Sequence, residues 1–299
     1  MGTTWSARIA VPRGGMPGER AKALDHGIAD MLATVIAQMS NWEAASDISR
    51  FNHAPLDRRI PLPDAFMTVL RAGLDIAGRS GGAFDPAIGH AVDRWGFGPA
   101  GRAAILSATP PTSGNWRAIV AEDGGARRLA DVALDFSGIA KGHAVDRLAE
   151  LLIAQGLRHF LVEIGGELRG AGVRPDGQPW WVELEMPPGI ALGPVRVALC
   201  GLSVATSGDY RRWFEADGRR YSHSIDPRTG RPIANGVASV TVLHQSAMMA
   251  DAWATALTVL GPDEGLALAA REGLAMMMIA RTGGAVREML SPGFAAMLD

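Results

Sequence analysis

The chain has 299 residues, of which 47% are hydrophobic and 20% are charged, and its formal net charge at pH 7 is −2. A globular chain of this length buries roughly three quarters of the surface that it exposes when unfolded, so it needs no disulfide or structural metal for stability. The small net charge gives no overall basic field, which argues against nucleic acid as a partner.

The single cysteine, Cys200, excludes a disulfide framework, a cysteine-based zinc site and a redox pair. Its apolar neighbours predict a buried strand residue. The N-terminus lacks the apolar run of a signal peptide, and no stretch reaches the roughly 18 apolar residues of a spanning helix. As written, the sequence therefore predicts a soluble cytoplasmic chain without a transmembrane segment. A removed leader would instead imply a periplasmic or membrane-associated protein.

In the first half of the chain, helical periodicity alternates with turn-forming residues. Proline and aspartate at 63 and 64 suit a helix start. The predicted elements are a strand over 3–12, a helix over 21–39, a polar loop over 46–52, a helix over 63–78, a short helix ending near 95 and a surface loop over 96–114.

Hairpins and helices alternate in the second half, which favours an α+β fold with mixed and antiparallel sheets and flanking helices over a doubly wound parallel sheet. We expect one domain over 1–299, with two packed lobes. The predicted strands are 117–121, 127–129, 132–136, 180–185, 195–200, 202–206, 212–216, 219–225 and 237–243. Hairpins are predicted over 160–169 and 274–290, and helices over 139–155, 247–260 and 263–271.

Asp251 and Thr255 are four residues apart in a predicted helix, so both side-chain oxygens can meet one ion. Mg²⁺ prefers oxygen ligands, commonly one or two carboxylates with phosphate and water. The alternative is a solvated aspartate and a threonine that bonds back to its own helix.

Residues 135–142 (DFSGIAKG) run from a strand end into a helix start, where unpaired N–H groups and the helix dipole favour phosphate. Lys141 adds a positive charge. The alternative is an ordinary N-cap by Asp135 or Ser137, with Lys141 on the surface.

Residues 206–210 and 221–232 concentrate hydroxyl, acidic and arginine side chains around His223, a composition typical of a polar pocket. His223 is either a catalytic group or a structural hydrogen-bonding residue. The other histidines form no zinc motif.

The G-x-G-x-x-G at 96–101 follows a predicted helix and contains Pro99, so it does not indicate a Rossmann turn. Trp42 and Phe84 lie in polar turns, where they either sandwich a planar ligand or pack at a helix end.

Six segments in order resemble the ApbE family of Mg-dependent FAD:protein FMN transferases, and the resemblance extends from residue 1 to about 280. They are 39–52, 82–86, 134–142, 162–167, 207–232 and 250–257. The resemblance implies an ApbE-like, T-fold-like fold with a central FAD cleft. It also implies transfer of FMN from FAD to a Thr or Ser hydroxyl of an acceptor flavoprotein, of the redox-complex subunit type, with release of AMP.

The resemblance also implies the site residues. Asp251, Thr255 and a backbone carbonyl near Gly138 would hold Mg²⁺, and His223 and Asp251 would be catalytic. The residues that would contact FAD are Met1, Trp42, Ala83, Phe84, Asp85, Asp135 and Lys141. The sequence departs from the family at Trp42 and His143, where Tyr is common, and at Met249, where an acidic residue is common.

Two other functions remain open at this stage. The same site with water as acceptor would be an FAD pyrophosphatase that yields FMN and AMP. A flavin-binding protein without turnover is the second alternative, and the Asp251 and Thr255 pair argues against it, because storage needs no reactive metal.

Overall fold

The computed structural model describes residues 3–12, 14–101, 113–216 and 218–298. In chain order, the strands are β1 (Trp5–Ile9), β2 (Ile60–Pro61), β3 (Ile119–Glu122), β4 (Gly125–Arg128), β5 (Phe160–Ile164), β6 (Glu167–Ala171), β7 (Trp180–Glu183), β8 (Arg196–Leu199), β9 (Leu202–Gly208), β10 (Trp213–Ala216), β11 (Arg219–Ser222), β12 (Ile225–Asp226), β13 (Arg231–Pro232), β14 (Val237–His244), β15 (Ala275–Thr282) and β16 (Ala285–Leu290). The helices are α1 (Gly18–Met39), α2 (Asp47–His53), α3 (Asp64–Arg79), α4 (Gly89–Arg94), α5 (Ala140–Ala154), α6 (Ala247–Leu260), α7 (Pro262–Arg271) and α8 (Pro292–Ala295).

The main sheet has seven strands in the order β1-β5-β6-β9-β14-β15-β16, and every neighbouring pair is antiparallel. The central strands β14 and β15 are buried on both faces of this sheet, and alternate residues of one strand point to opposite faces. In β15, Met276 and Met278 pack into the helix-side core, whereas Met277 and Ile279 pack into a second core on the opposite face. The three consecutive methionines at 276–278 therefore fill the two cores on either side of the sheet.

Helices α5 and α6 cover one face of the main sheet, and α1 and α3 pack outside them. On the other face, the second core includes Trp180 and Leu199 from the β7–β8 ribbon and Phe294 from α8. Among the described residues, no helix is long and apolar enough to cross a membrane. In the helix layer, the first turn of α5 lies directly against the first turn of α6, where Gly142 faces the backbone of Ala247.

The α+β class, the antiparallel hairpins and the long helices are as the sequence predicts, but three local expectations are wrong. The polar stretch 46–52 contains helix α2, because the Ser46 side chain accepts a hydrogen bond from the Ser49 N–H (3.2 Å) and so caps the helix. Residues 132–136 form no regular strand, only one isolated bridge through Ala133. Cys200 is exposed, because β8 ends at Leu199 and the chain turns through Gly201 at φ +82°.

Candidate active site

A cleft with a cavity volume of about 160 Å³ opens beside the amino end of α5 and along the face of α6 that carries Asp251, Thr255 and Val259. It gathers nine of the eleven residues that the sequence analysis singled out, from segments far apart in the chain. These lining residues are Ala83, Phe84, Asp85, Asp135, Gly138, Lys141, His223, Asp251 and Thr255. Ser137, Thr206, Ser207 and Arg211 also line the cleft and make it polar.

Two predicted contacts are not among the lining residues. Trp42 is 60% exposed and lies outside the cleft wall. Its neighbour Asn41 donates a hydrogen bond to Asp135 Oδ2 (3.1 Å), so the Trp42 turn is tied to the edge of the cleft. Met1 lies outside the described residues.

Two asparagine side chains hold the turn that precedes α5. Asn52 accepts from the Leu134 N–H (2.7 Å) and donates to the Leu134 carbonyl (2.9 Å), and Asn41 donates to the same carbonyl (3.2 Å). Asp135 then accepts from the Ser137 N–H (2.7 Å), which closes a tight turn into the helix. These bonds replace a strand ladder at 132–136 and fix the turn that leads to Gly138.

Glycine is required at the two places where α5 and its preceding turn approach α6. A Cβ atom on Gly138 would lie 2.9 Å from Thr255 Oγ1, and one on Gly142 would lie 2.2 Å from the Ala247 carbonyl oxygen. The Gly142 N–H also donates to Asp251 Oδ2 (3.0 Å). The close approach therefore places the oxygens of Asp251 and Thr255 against the beginning of α5.

Burial dominates the electrostatics around Asp251. It raises the pKa of the Asp251 carboxyl, and the ammonium of Lys141 offsets only part of this effect. Lys141 forms an ion pair with Glu167, which is 2% exposed. Although burial alone lowers the pKa of Lys141, the carboxylates of Asp251 and Glu167 raise it overall. Lys141 is therefore a cation held between two carboxylates.

His223 enters the cleft as a neutral imidazole. Burial lowers the pKa of His223 to about 4, with further contributions from nearby cations. Its Nδ1 lies 3.0 Å from the Arg212 carbonyl oxygen, which can only accept, so we assign the hydrogen to Nδ1. Nε2 then carries the lone pair and can accept a proton.

Phe84 and Asp85 form the opposite wall. Phe84 is only 4% exposed, and its ring edge lies 3.4 Å from the position of a Cβ on Gly138. Asp85 accepts from the N–H groups of Ala87 (2.7 Å) and Trp116 (3.0 Å). Burial raises the pKa of Asp85 to about 6 despite these bonds. Asp85 thus anchors the 113–116 segment at the cleft.

The charges of the cleft suit a divalent cation bound together with a diphosphate. Lys141 and Arg211 line the cleft, and each is already paired with a carboxylate, Glu167 and Glu185. A diphosphate would add negative charge beside Asp251, which an extra cation would neutralise. No cluster of three His, Cys, Asp or Glu side chains with metal-site geometry occurs in the described part of the chain. A cation held by Asp251 would therefore need a hydroxyl, a carbonyl and ligand phosphates as further ligands, and the cleft offers the hydroxyl of Thr255 and the backbone of Gly138.

Sequence reasoning assigned no role to Glu167, Arg211 or Asn41. Glu167 was visible only as an acidic residue after a Gly-Gly turn, and its burial against Lys141 depends on the fold. Residues 206–232 contain several arginines, and the sequence does not distinguish Arg211 from the others. No local pattern marks either residue.

The fold and the cleft define an α+β protein with a polar site at the amino end of helix α5, a class of site suited to phosphate-bearing ligands. The sequence profile of the ApbE family matches residues 1–278. The FAD:protein FMN transferase of Vibrio cholerae is 36% identical, with 100% of this chain and 91% of the relative covered. That of Escherichia coli K12 is 33% identical, with 100% and 87% covered.

Solved structures agree with these sequence comparisons. The flavin transferase ApbE from Vibrio cholerae superposes with a TM-score of 0.88 at 35% identity, covering 99% of this chain and 96% of that one. The apo form of the Pseudomonas stutzeri flavinyl transferase ApbE gives a TM-score of 0.86 at 34% identity, with 99% and 97% covered. The chain belongs to the ApbE family.

Proposed function

We propose that this chain is an FAD:protein FMN transferase that acts as one domain. It moves the FMN half of FAD to a Thr or Ser hydroxyl of an acceptor flavoprotein and releases AMP. The observation that carries the proposal is the single cleft that gathers Asp251, Thr255 and Gly138 together with Lys141 and His223. Family membership and the names of the relatives support the same reaction.

In this proposal, Asp251, Thr255 and the Gly138 carbonyl would hold Mg²⁺, which would supply charge neutralisation for the diphosphate. Lys141 and the first turn of α5 bind phosphate oxygens. Ala83, Phe84, Asp85 and Asp135 would shape the FAD site, and the resemblance to the family adds Trp42 and Met1 as further FAD contacts.

His223 is proposed as the proton acceptor. The acceptor hydroxyl oxygen attacks the FMN phosphorus, its proton passes to Nε2 of His223, and the bond from that phosphorus to the bridging oxygen breaks. AMP leaves with the bridging oxygen. The neutral state of His223 matches this role, because a histidine that is already protonated cannot accept a proton.

The test combines the chain, FAD, Mg²⁺ and a candidate acceptor, and reads flavin fluorescence of the acceptor on a denaturing gel together with AMP release. An acceptor with its target Thr or Ser replaced by Ala is the negative control. The Asp251→Ala variant should lose transfer, while Asp263→Ala, an exposed carboxylate at the start of α7, should retain it. AMP release without labelled protein would identify an FAD pyrophosphatase, and FAD binding without AMP would identify a binding protein.

A further inference from the structure

Helices α5 and α6 cap each other. Asp251 on α6 accepts from the N–H of Gly142 in the first turn of α5 (3.0 Å). Asp146 on α5 accepts from the first two N–H groups of α6, those of Ala247 (3.0 Å) and Met248 (3.0 Å). Each helix therefore supplies a carboxylate to the amino end of the other, where N–H groups lack partners within their own helix.

The Asp146 carboxylate is fully engaged. Besides the two N–H groups, Oδ2 accepts from the Ser246 hydroxyl (2.6 Å), and Oδ1 accepts from Arg169 on β6 (2.6 Å). Asp146 is 8% exposed, so these bonds are largely shielded from water. A buried carboxylate with four charge-assisted or backbone bonds holds its partners in one arrangement.

This arrangement sets the position of the proposed metal ligands. Ser246 caps α6 through a long bond to the Met249 N–H (3.3 Å), and its own hydroxyl is oriented by Asp146. Asp251 follows one turn later and Thr255 one turn after that, so a shift of the first turn of α6 moves both side chains. Gly142 permits the close approach, whereas Asp146 provides the directional bonds that fix it.

We propose that Asp146 is a positioning residue for the cation site: it acts through the first turn of α6 and touches neither FAD nor the metal. The inference rests on the proposed function, since it concerns the Asp251, Thr255 and Gly138 site. Supporting groups outside the coordination sphere commonly contribute 10–100-fold to metal affinity, so the loss of Asp146 has an effect of about that size.

The experiment measures FAD binding by fluorescence at a series of Mg²⁺ concentrations, and it therefore requires no turnover. The variants are Asp146→Ala and Asp146→Asn, in which one side-chain oxygen remains to accept a bond. Glu150→Ala is the matched control, because Glu150 lies one turn further along α5 and, among the described residues, its one ion pair is the half-exposed pair with Arg147. Thermal unfolding is recorded for each protein, and if Asp146→Ala does not fold, the Asn variant decides.

We expect Asp146→Ala to raise the Mg²⁺ concentration for half-maximal FAD binding about 10–100-fold, with a smaller increase for Asp146→Asn and none for Glu150→Ala. FAD affinity without Mg²⁺ should change less than twofold. An unchanged Mg²⁺ requirement in both Asp146 variants, whatever their melting temperatures, would overturn the inference. A loss of FAD affinity without Mg²⁺ that is as large as the loss with Mg²⁺ would also overturn it.

Wild-type protein that binds FAD with Mg²⁺ but transfers no FMN would refute the transferase and leave this test valid. Wild-type binding that ignores Mg²⁺ would refute the cation site itself, and the inference with it.

Discussion

Replacing Gly142 with alanine should force the first turns of α5 and α6 slightly apart. The added Cβ would lie 2.2 Å from the Ala247 carbonyl oxygen, 2.5 Å from its carbon and 2.7 Å from Met248 Cα. All three atoms belong to the backbone, so no side chain can rotate away. Relief of the clash to an ordinary contact requires a displacement of about 1 Å between the two helices.

Two opposing terms set the effect on stability. Overpacking of a close contact costs about 1–3 kcal/mol, whereas alanine favours a helix over glycine by about 1 kcal/mol. Because the clash is with backbone, the first term should win, and we expect Gly142→Ala to lower the free energy of unfolding by up to about 2 kcal/mol. A displacement of about 1 Å at the proposed metal ligands should also lower FMN transfer about 10²-fold.

The matched control is Gly27→Ala in α1, where the nearest atom to the new Cβ is Leu151 Cδ1 at 3.8 Å. This variant should gain up to about 1 kcal/mol and keep full transfer activity. Urea unfolding and the flavin-labelling assay measure the two effects. If Gly142→Ala were as stable and as active as Gly27→Ala, the close approach of α5 and α6 would not be what positions the site.

Three further predictions address single side chains. His223→Ala should lower the transfer rate by about 10²–10⁴-fold with FAD affinity unchanged, and lost FAD affinity with a preserved rate at saturation would make His223 a binding residue. Trp42→Ala should weaken FAD binding and reduce tryptophan quenching in a titration, whereas identical curves would restrict Trp42 to a structural role. Burial lowers the pKa of His143 to about 4. As pH falls from about 6.5 to 4, the unfolded chain binds a proton at this position before the folded chain does, so the free energy of unfolding decreases. His143→Phe should shrink the difference in unfolding free energy between pH 7 and pH 4 by up to about 3 kcal/mol, and an equal difference in both proteins would contradict that contribution.

Local patterns predicted the parts of the site that depend on one segment. The four-residue spacing of Asp251 and Thr255 requires only a helix, and the glycine-containing turn before Lys141 requires only a strand end followed by a helix start. The structure places all three residues in one cleft. Their roles in binding remain proposals.

The missed features depend on contacts between distant segments. The backbone at 132–136 has strand-like composition, yet the amide groups of Leu134 and Asp135 bond to the Asn52 side chain and the Pro86 carbonyl rather than to a neighbouring strand. Glu167 is buried because Lys141 reaches it from another element. Neither partner can be read from the local sequence, because the pairing energies arise only after the chain has folded.

The order of the strands has a consequence for biosynthesis. The first strand of the chain pairs with β5, which follows it by about 155 residues, and the bond between Gly142 and Asp251 joins positions 109 residues apart. At translation rates of about 5–20 residues per second, α6 leaves the ribosome on the order of ten seconds after the start of α5. During that interval the nascent chain lacks Asp251 and Thr255, the residues that α6 contributes to the cleft beside the amino end of α5. The proposed cation site can therefore be completed only near the end of synthesis, and chains that terminate before α6 lack two of its three proposed ligands.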